Sequence, residues 1–421
     1  MIKTFDIIGN MTGNSMDAID LVLTRFHGDE MHDICSYSVP YCAKFQKQME
    51  KLRQMVVNKT ADEISKIPLF HTIHDQYIQT LAIAINKMCD QYNINKNNID
   101  AIGFHGKTLD HNPPSIAKKN KSLPYTLQMG SGQMLANMTH IPVVYDFRSD
   151  FIMNGCEGAP LIPTHNAHIS STEGDAIYYN GGNTANFAVI KNKRVLIASD
   201  AGPFNEYIDK FIRNNTDQSF DCDGMFGKSG KINHELLNQL FNICHEFYQM
   251  PLPKSGDPQY YNANGIFEII QKQKIPFNDA IHTMEYFSAY IAAYSMNLIP
   301  INMEIPNNIF LFGGGWKNPV VYDSFKKILY SQHATILPEH RATMLNLRQR
   351  FKHKPNIRFS KFADNMEPRL CADMAKYRLE NKVWDTYDSL DKNIISGIIA
   401  YPNNSIQIRD KINRAAKGWQ R

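Results

Sequence analysis

The 421-residue sequence has no apolar run approaching the roughly 18 residues of a membrane-spanning helix. Its opening, Met1-Ile2-Lys3-Thr4-Phe5-Asp6, lacks the basic stretch and apolar core of a secretory leader, so a membrane partner is not expected and the chain reads as cytoplasmic. Cysteines at C-x-x-C spacing are also missing. The seven thiols (Cys35, Cys42, Cys89, Cys156, Cys222, Cys244 and Cys371) are odd in number and scattered, which favours reduced side chains over disulfides or a cysteine zinc site. Charge of one sign is scarce too. Lys plus Arg number 45 against 41 Asp plus Glu, a surplus too small for a counterion-releasing surface, so no nucleic-acid partner is expected. The densest basic cluster, Lys118, Lys119 and Lys121, lies between Pro113-Pro114 and Pro124 and reads as a solvated loop. No repeat or low-complexity tract is visible. Neither a Walker A signature nor a G-x-G-x-x-G with its lysine occurs, which disfavours P-loop and protein-kinase folds.

What is present describes a folded protein: 43% hydrophobic, 11% aromatic and 20% charged residues. The length exceeds one ordinary core, so two domains with a cleft suited to a small molecule are expected, at 1–150 and 151–421, with a C-terminal helix returning to the first. Strand signals at 5–8 and 19–26 flank the polar turn 9–15. Helical spacing follows over 41–57 and 61–92, then a short strand at 99–104. A second β-rich block occupies 175–199, with helices predicted at 205–214, 231–248 and 278–298 and a strand at 308–312 that runs into Gly313-Gly314-Gly315.

Three glycine turns have the composition of phosphate cradles, in which backbone N–H groups converge on an anion. The first is Gly9-Asn10-Met11-Thr12-Gly13-Asn14-Ser15-Met16-Asp17, where Asp17 offers a carboxylate for a magnesium ion; taken alone, an ordinary hairpin turn is the favoured reading. The second is Asn180-Gly181-Gly182-Asn183-Thr184-Ala185-Asn186. The third runs from Phe312 through the glycines to Trp316-Lys317-Asn318-Pro319 and should open a helix. Two hairpin loops and a strand-to-glycine junction are the arrangement in which two lobes hold a nucleoside triphosphate. Asp200 leaves a strand before a helix and is a candidate general base, with a helix N-cap as the alternative. His105 with His111, and His165 with His168, invite a metal reading; the second pair has no carboxylate at ligand spacing, so hydrogen-bonding histidines are the simpler reading.

Taken in order, these segments resemble the anhydro-N-acetylmuramic acid kinases of bacterial peptidoglycan recycling. The family's G-x-M-S-G-T-S-M-D-G-I-D is similar to residues 9–20, its G-S-H-G-Q-T to Gly103-Phe104-His105-Gly106-Lys107-Thr108, and its V-V-x-D-F-R to Val143-Val144-Tyr145-Asp146-Phe147-Arg148. Its T-x-Q-I-G resembles 126–130, and its G-G-Q-G-A-P-L-V-P resembles Gly155-Cys156-Glu157-Gly158-Ala159-Pro160-Leu161-Ile162-Pro163. Further likenesses fall at 180–186, 199–205, 221–224, 229–233, 253–255 and 312–318. The resemblance implies a two-lobed actin/hexokinase-like (ribonuclease H-like) α/β fold with mixed sheets flanked by helices, usually a homodimer. It implies a kinase that uses ATP and Mg²⁺ to open a 1,6-anhydro sugar with water while phosphorylating its O6.

By position, Asp200 matches the catalytic aspartate. Gly13, Asn14, Ser15 and Asp17 would face the phosphates and metal, and Gly181, Gly182, Gly314, Gly315 and Asn318 the nucleotide; His105, Thr108, Arg148, Gly158, Ala159 and Pro160 would line the sugar pocket. Three departures stand out. The family's D-F-R-R-R-D shortens to Asp146-Phe147-Arg148-Ser149-Asp150, removing guanidinium forks suited to a lactyl carboxylate. Phe204 replaces a glycine of G-P-G-N, which places a bulky ring where a backbone should approach closely. A C-terminal catalytic glutamate falls on Leu370 in an ungapped match, with Glu367 one turn earlier as its substitute. A kinase of another sugar, or a nucleotide or sugar sensor without turnover, are the alternative readings.

Overall fold

The structure is a computed structural model that describes the chain except residues 1–2, 13–17, 253, 255–260, 262, 387–388, 390, 407 and 418–421. The chain divides into two compact units, Met1–His168 with Asn365–Arg421, and Ile169–Asp364. The division falls at 168/169 rather than at 150, and the whole segment from Asn365 onward belongs with the first unit.

In the first unit, β1 (Thr4–Met11), β2 (Ala18–His27) and β3 (Glu30–Pro40) form an antiparallel meander. Beyond β1 lie β4 (Ala101–Phe104) and β7 (Val143–Tyr145), both parallel, and then β13 (Ile398–Ala400) at the edge. A separate ribbon pairs β5 (Lys107–Asn112) with β6 (Tyr125–Met129). The burial of each strand follows its place. All four residues of β4, inside the sheet, are buried and apolar or glycine, whereas edge strand β3 alternates and leaves one face in water. Helix Pro68–Gln91 lays Phe70, Ile73, Tyr77, Ile78, Leu81, Ile85 and Met88 into the same core, at the spacing that predicted it.

The second unit repeats the plan. Strands β8 (Ala176–Gly181), β9 (Thr184–Lys191) and β10 (Arg194–Pro203) form a meander, and β11 (Asn308–Phe312) and β12 (Asn356–Phe359) are added parallel beyond β8. A three-strand meander extended by parallel strands, with helices on the sheets, occurs twice, the doubled mixed-sheet plan that the resemblance implies. Helix Phe277–Ser295 is almost wholly buried against this sheet. The helices predicted at 205–214 and 278–298 appear as Glu206–Asn215 and Phe277–Ser295; that predicted at 231–248 is broken at Cys244 into His234–Ile243 and His245–Gln249.

The returning segment meets the first sheet through helix Met366–Leu379, and the contact is backbone on backbone. A Cβ added to Gly9 on β1 would stand 1.8 Å from the Pro368 carbonyl oxygen, and one on Gly103 of β4 would stand 2.0 Å from that of Cys371. Neither carbonyl can retreat without moving the helix. Gly9→Ala or Gly103→Ala is therefore expected to destabilise the protein by about 1–3 kcal/mol or more, as overpacked cores do. A thermal unfolding scan checks this, and an unchanged midpoint would show that the helix is not seated on these glycines.

Candidate functional site

In the second unit two glycine turns come together. Gly313 has φ 90°, and a Cβ there would strike Asn180 Oδ1 at 2.5 Å and the Gly181 carbonyl oxygen at 2.8 Å. A Cβ on Gly181 would meet the rings of Phe204 and Trp316, each at 2.7 Å, and one on Gly315 would meet Asn205 Oδ1 at 2.5 Å. Gly314 has nothing within 4 Å and Gly182 nothing closer than 3.5 Å, so both leave backbone open to a ligand. The segment after β10 closes the group: Phe204 N–H donates to the Asn183 carbonyl (2.7 Å) and Asn205 N–H to that of Gly182 (3.1 Å).

Phe204 is not the obstruction its substitution for glycine foreshadows. Its fully buried ring packs on Trp316 with centroids 4.7 Å apart and fills the space that Gly181 and Gly315 leave empty. Asn318 is the N-cap of helix Pro319–Tyr330, its Oδ1 accepting from Val320 N–H at 2.9 Å. Its amide Nδ2 donates to Glu285 Oε1 at 2.5 Å.

Asp200 lies within β10, where a bulge shifts the register between Asp200 and Gly202. It caps no helix, since helix Glu206–Asn215 follows Asn205, and so the N-cap alternative does not apply. Across the sheet Asp200 stands opposite Asn186, which stands opposite Asn180, which neighbours Phe312. One row thus joins the half-buried carboxylate to both glycine turns. Lys254 supports it from behind: Asp200 N–H donates to the Lys254 carbonyl at 3.0 Å, and Lys254 N–H to Ser199 Oγ at 3.0 Å. The Lys254 ammonium donates to the Phe247 carbonyl at 2.9 Å, and burial pulls it down to about 8 although Asp200 opposes the shift.

In the first unit His105, Arg148 and Gly158 are joined. His105 Nδ1 faces its neighbour's carbonyl (Gly106 O, 2.9 Å), so Nε2 is the acceptor of the Arg148 Nε–H at 3.0 Å. Arg148 Nη1 donates to the Gly158 carbonyl at 2.5 Å. Burial, aided by Arg148, pushes His105 down to about 3, so it stays neutral; burial lowers Arg148 to about 10, which leaves it charged at neutral pH. Nη2 of Arg148 makes no hydrogen bond among the described residues and remains for a ligand.

Thr108 lies on the ribbon, its Oγ1 accepting from Gln128 at 3.4 Å, while Ala159 and Pro160 continue the chain from Gly158 toward helix Ile162–Glu173. Glu367 opens helix Met366–Leu379 and faces water, yet crowding and the nearby Asp20 carboxylate raise it while Arg148 opposes them. Leu370, where the ungapped match puts the glutamate, is buried. Gly13, Asn14, Ser15 and Asp17 lie outside the described residues.

Sequence reasoning did not single out Glu285, Lys254 or Arg414. Glu285 is a fully buried acid in an otherwise apolar stretch of helix, a signal that was readable. Arg414 arrives from the chain's end to pair with Asp146 and Asp150, each at 2.8 Å, beside the shortened arginine run, and nothing local in sequence announces it.

Similarity to known proteins agrees with this geometry. A profile of the family described as anhydro-N-acetylmuramic acid kinase matches residues 5–340. A curated protein named anhydro-N-acetylmuramic acid kinase from Shewanella putrefaciens is 30% identical over 348 residues, 81% of this chain and 86% of its own. Proteins of the same name from Brucella canis and Idiomarina loihiensis are 29% and 27% identical, over 78% and 76% of this chain and 85% and 83% of theirs.

Burial, aided by the adjacent Asp221 carboxylate, pushes Glu285 up to about 9 against the Asn318 amide. Because the folded state then holds a proton that the unfolded state releases near pH 4.5, this group's stabilisation is present below that pH and fades as pH rises toward 9. Glu285→Gln, a neutral isostere, should therefore raise the thermal midpoint at pH 8 and leave it nearly unchanged at pH 5. A midpoint lowered equally at both pH values would show that the carboxylate is needed in its charged form.

Proposed function

The chain belongs to the anhydro-N-acetylmuramic acid kinase family, and from that premise we propose that it opens 1,6-anhydro-N-acetylmuramic acid with water and transfers the γ-phosphoryl of ATP to the freed O6. As an ATP-dependent sugar kinase of cell-wall recycling, it needs a base for water and a cradle for the nucleotide. Asp200 is the base: it takes the proton of the water that attacks the anomeric carbon, the C1–O6 bond breaks, and O6 attacks the γ-phosphorus as ADP leaves. The observation carrying this reading is the row Asp200, Asn186, Asn180, which ties one carboxylate to two open glycine turns on the same sheet.

Gly181, Gly182, Gly314, Gly315 and Asn318 hold the nucleotide, with Gly182 and Gly314 presenting unobstructed backbone. His105, Thr108, Arg148, Gly158, Ala159 and Pro160 receive the sugar, and the uncommitted Nη2 of Arg148 suits its carboxylate. Mg²⁺ would be held by Asp17, with Glu367 close by as the second catalytic carboxylate. The mutual repulsion of Asp20 and Glu367 fits a cation with oxygen ligands, and Mg²⁺ would neutralise phosphate charge during transfer. The working form is a cytoplasmic homodimer, as the family resemblance implies; no helix among the described residues is long and apolar enough to cross a membrane.

The test is turnover of ATP, Mg²⁺ and the anhydro sugar by the wild type and by Asp200→Asn. The wild type should yield the 6-phosphate, and the variant should lose about 10²–10⁴-fold in kcat with its thermal midpoint and ATP affinity retained. A variant of undiminished kcat would remove Asp200 from the chemistry. A wild type that binds ATP without product would favour the sensor reading.

A further inference from the structure

We propose that His165, His168 and Asp373 form a binding site in the first unit for a divalent transition metal of the zinc class, separate from the Mg²⁺ of the phosphoryl transfer. The two histidines are one turn apart on helix Ile162–Glu173, and Asp373 comes from helix Met366–Leu379. One ligand atom from each residue lies within 4.8 Å of the other two. The nitrogens Nδ1 of His165 and His168 stand 2.7 and 2.6 Å from the same oxygen, Asp373 Oδ2. No other group of three histidine, cysteine or acidic side chains converges in this way among the described residues.

A further observation points to a cation. His165 is fully buried, and so is Asp373, whose side chain is 2% exposed and forms no ion pair with Lys or Arg among the described residues. The neighbouring Arg369 gives its guanidinium to Asp33, at 2.9 and 2.5 Å, and Lys376 its ammonium to the Gly28 carbonyl at 2.9 Å. A divalent ion would supply the missing positive charge.

The ligand chemistry selects the metal. Two imidazole nitrogens and one carboxylate oxygen suit Zn²⁺ or Co²⁺, whereas Mg²⁺ and Ca²⁺ prefer oxygen alone. Zinc bonds of about 2.0 Å at tetrahedral angles put neighbouring ligands about 3.3 Å apart, so binding through Nδ1 opens the present contacts by about 0.6 Å. On binding, each neutral ring carries its proton on Nε2 in place of Nδ1, and a ring that starts protonated releases one proton. His168 is 20% exposed, which provides the entry and a place for a water as fourth ligand. Its ring is fixed by stacking on Tyr377, centroids 4.6 Å apart, and by the edge of Trp384 at 5.0 Å. An ion here would pin the first turns of one helix to the helix that carries Glu367.

The experiment titrates chelator-stripped full-length protein with Co²⁺ and Zn²⁺. One equivalent of Co²⁺ should bind with visible bands of a four-coordinate ion and without thiolate charge transfer, which separates this site from the exposed Cys42 and Cys222. Zn²⁺ should raise the thermal midpoint by several degrees. His168→Asn and Asp373→Asn should each weaken Co²⁺ binding at least 10-fold; His168 is partly exposed, so its variant is the one expected to keep the fold. Absence of the Co²⁺ bands in the wild type, or equal binding by wild type and His168→Asn, would overturn the site and leave a hydrogen-bonded histidine–aspartate cluster.

Discussion

Much of this protein is organised by places where one backbone runs so close to another that no Cβ fits between them. In the first unit the constraint acts at Gly9 and Gly103, beneath the carbonyls of Pro368 and Cys371. In the second it acts at Gly313 against Asn180 and Gly181, and at Gly181 and Gly315 around the Phe204 and Trp316 rings. The first set seats the helix that returns from the far end of the chain. The second brings together two turns separated by about 130 positions and leaves Gly182 and Gly314 uncovered. Without these contacts neither Glu367 nor the two glycine turns would have a fixed position.

Electrostatics is arranged around the same supports. Charged groups inside each unit are few, and most are tied to a specific partner: Arg148 to His105 and Gly158, Arg414 to Asp146 and Asp150, Arg369 to Asp33. Burial then sets the protonation of what remains. It keeps His105 neutral, so that this ring accepts from Arg148 and orients the guanidinium, and it keeps Glu285 protonated at neutral pH beside Asp221. Polar groups so placed are rigid at little further loss of entropy on binding a ligand.

The sequence was most informative where local chemistry decides structure. The glycine turns, Asp200 and the Arg148 segment could be read because tight turns require glycine and because the ordered motifs matched a family; the apolar spacing of Pro68–Gln91 and Phe277–Ser295 revealed the long helices. Less was visible where partners are distant in the chain. Asp373 lies 205 residues beyond His168, so no ligand spacing could connect them. Arg414 reaches Asp146 across 268 residues. Phe204 looked like a steric misfit because its compensating glycines, at 181 and 315, become neighbours only in the folded sheet. Edge strand β3 went unread because its alternation is weak and half its residues face water.

The central claim is that water, activated by Asp200, attacks the anomeric carbon while phosphate goes to O6. It is tested most directly by a single turnover in ¹⁸O-water with ATP, Mg²⁺ and 1,6-anhydro-N-acetylmuramic acid, followed by mass spectrometry of the products. The account predicts one ¹⁸O on the C1 hydroxyl of the sugar 6-phosphate and none in its phosphoryl group. Label found only in inorganic phosphate, or a phosphorylated sugar with no label at C1, would contradict it.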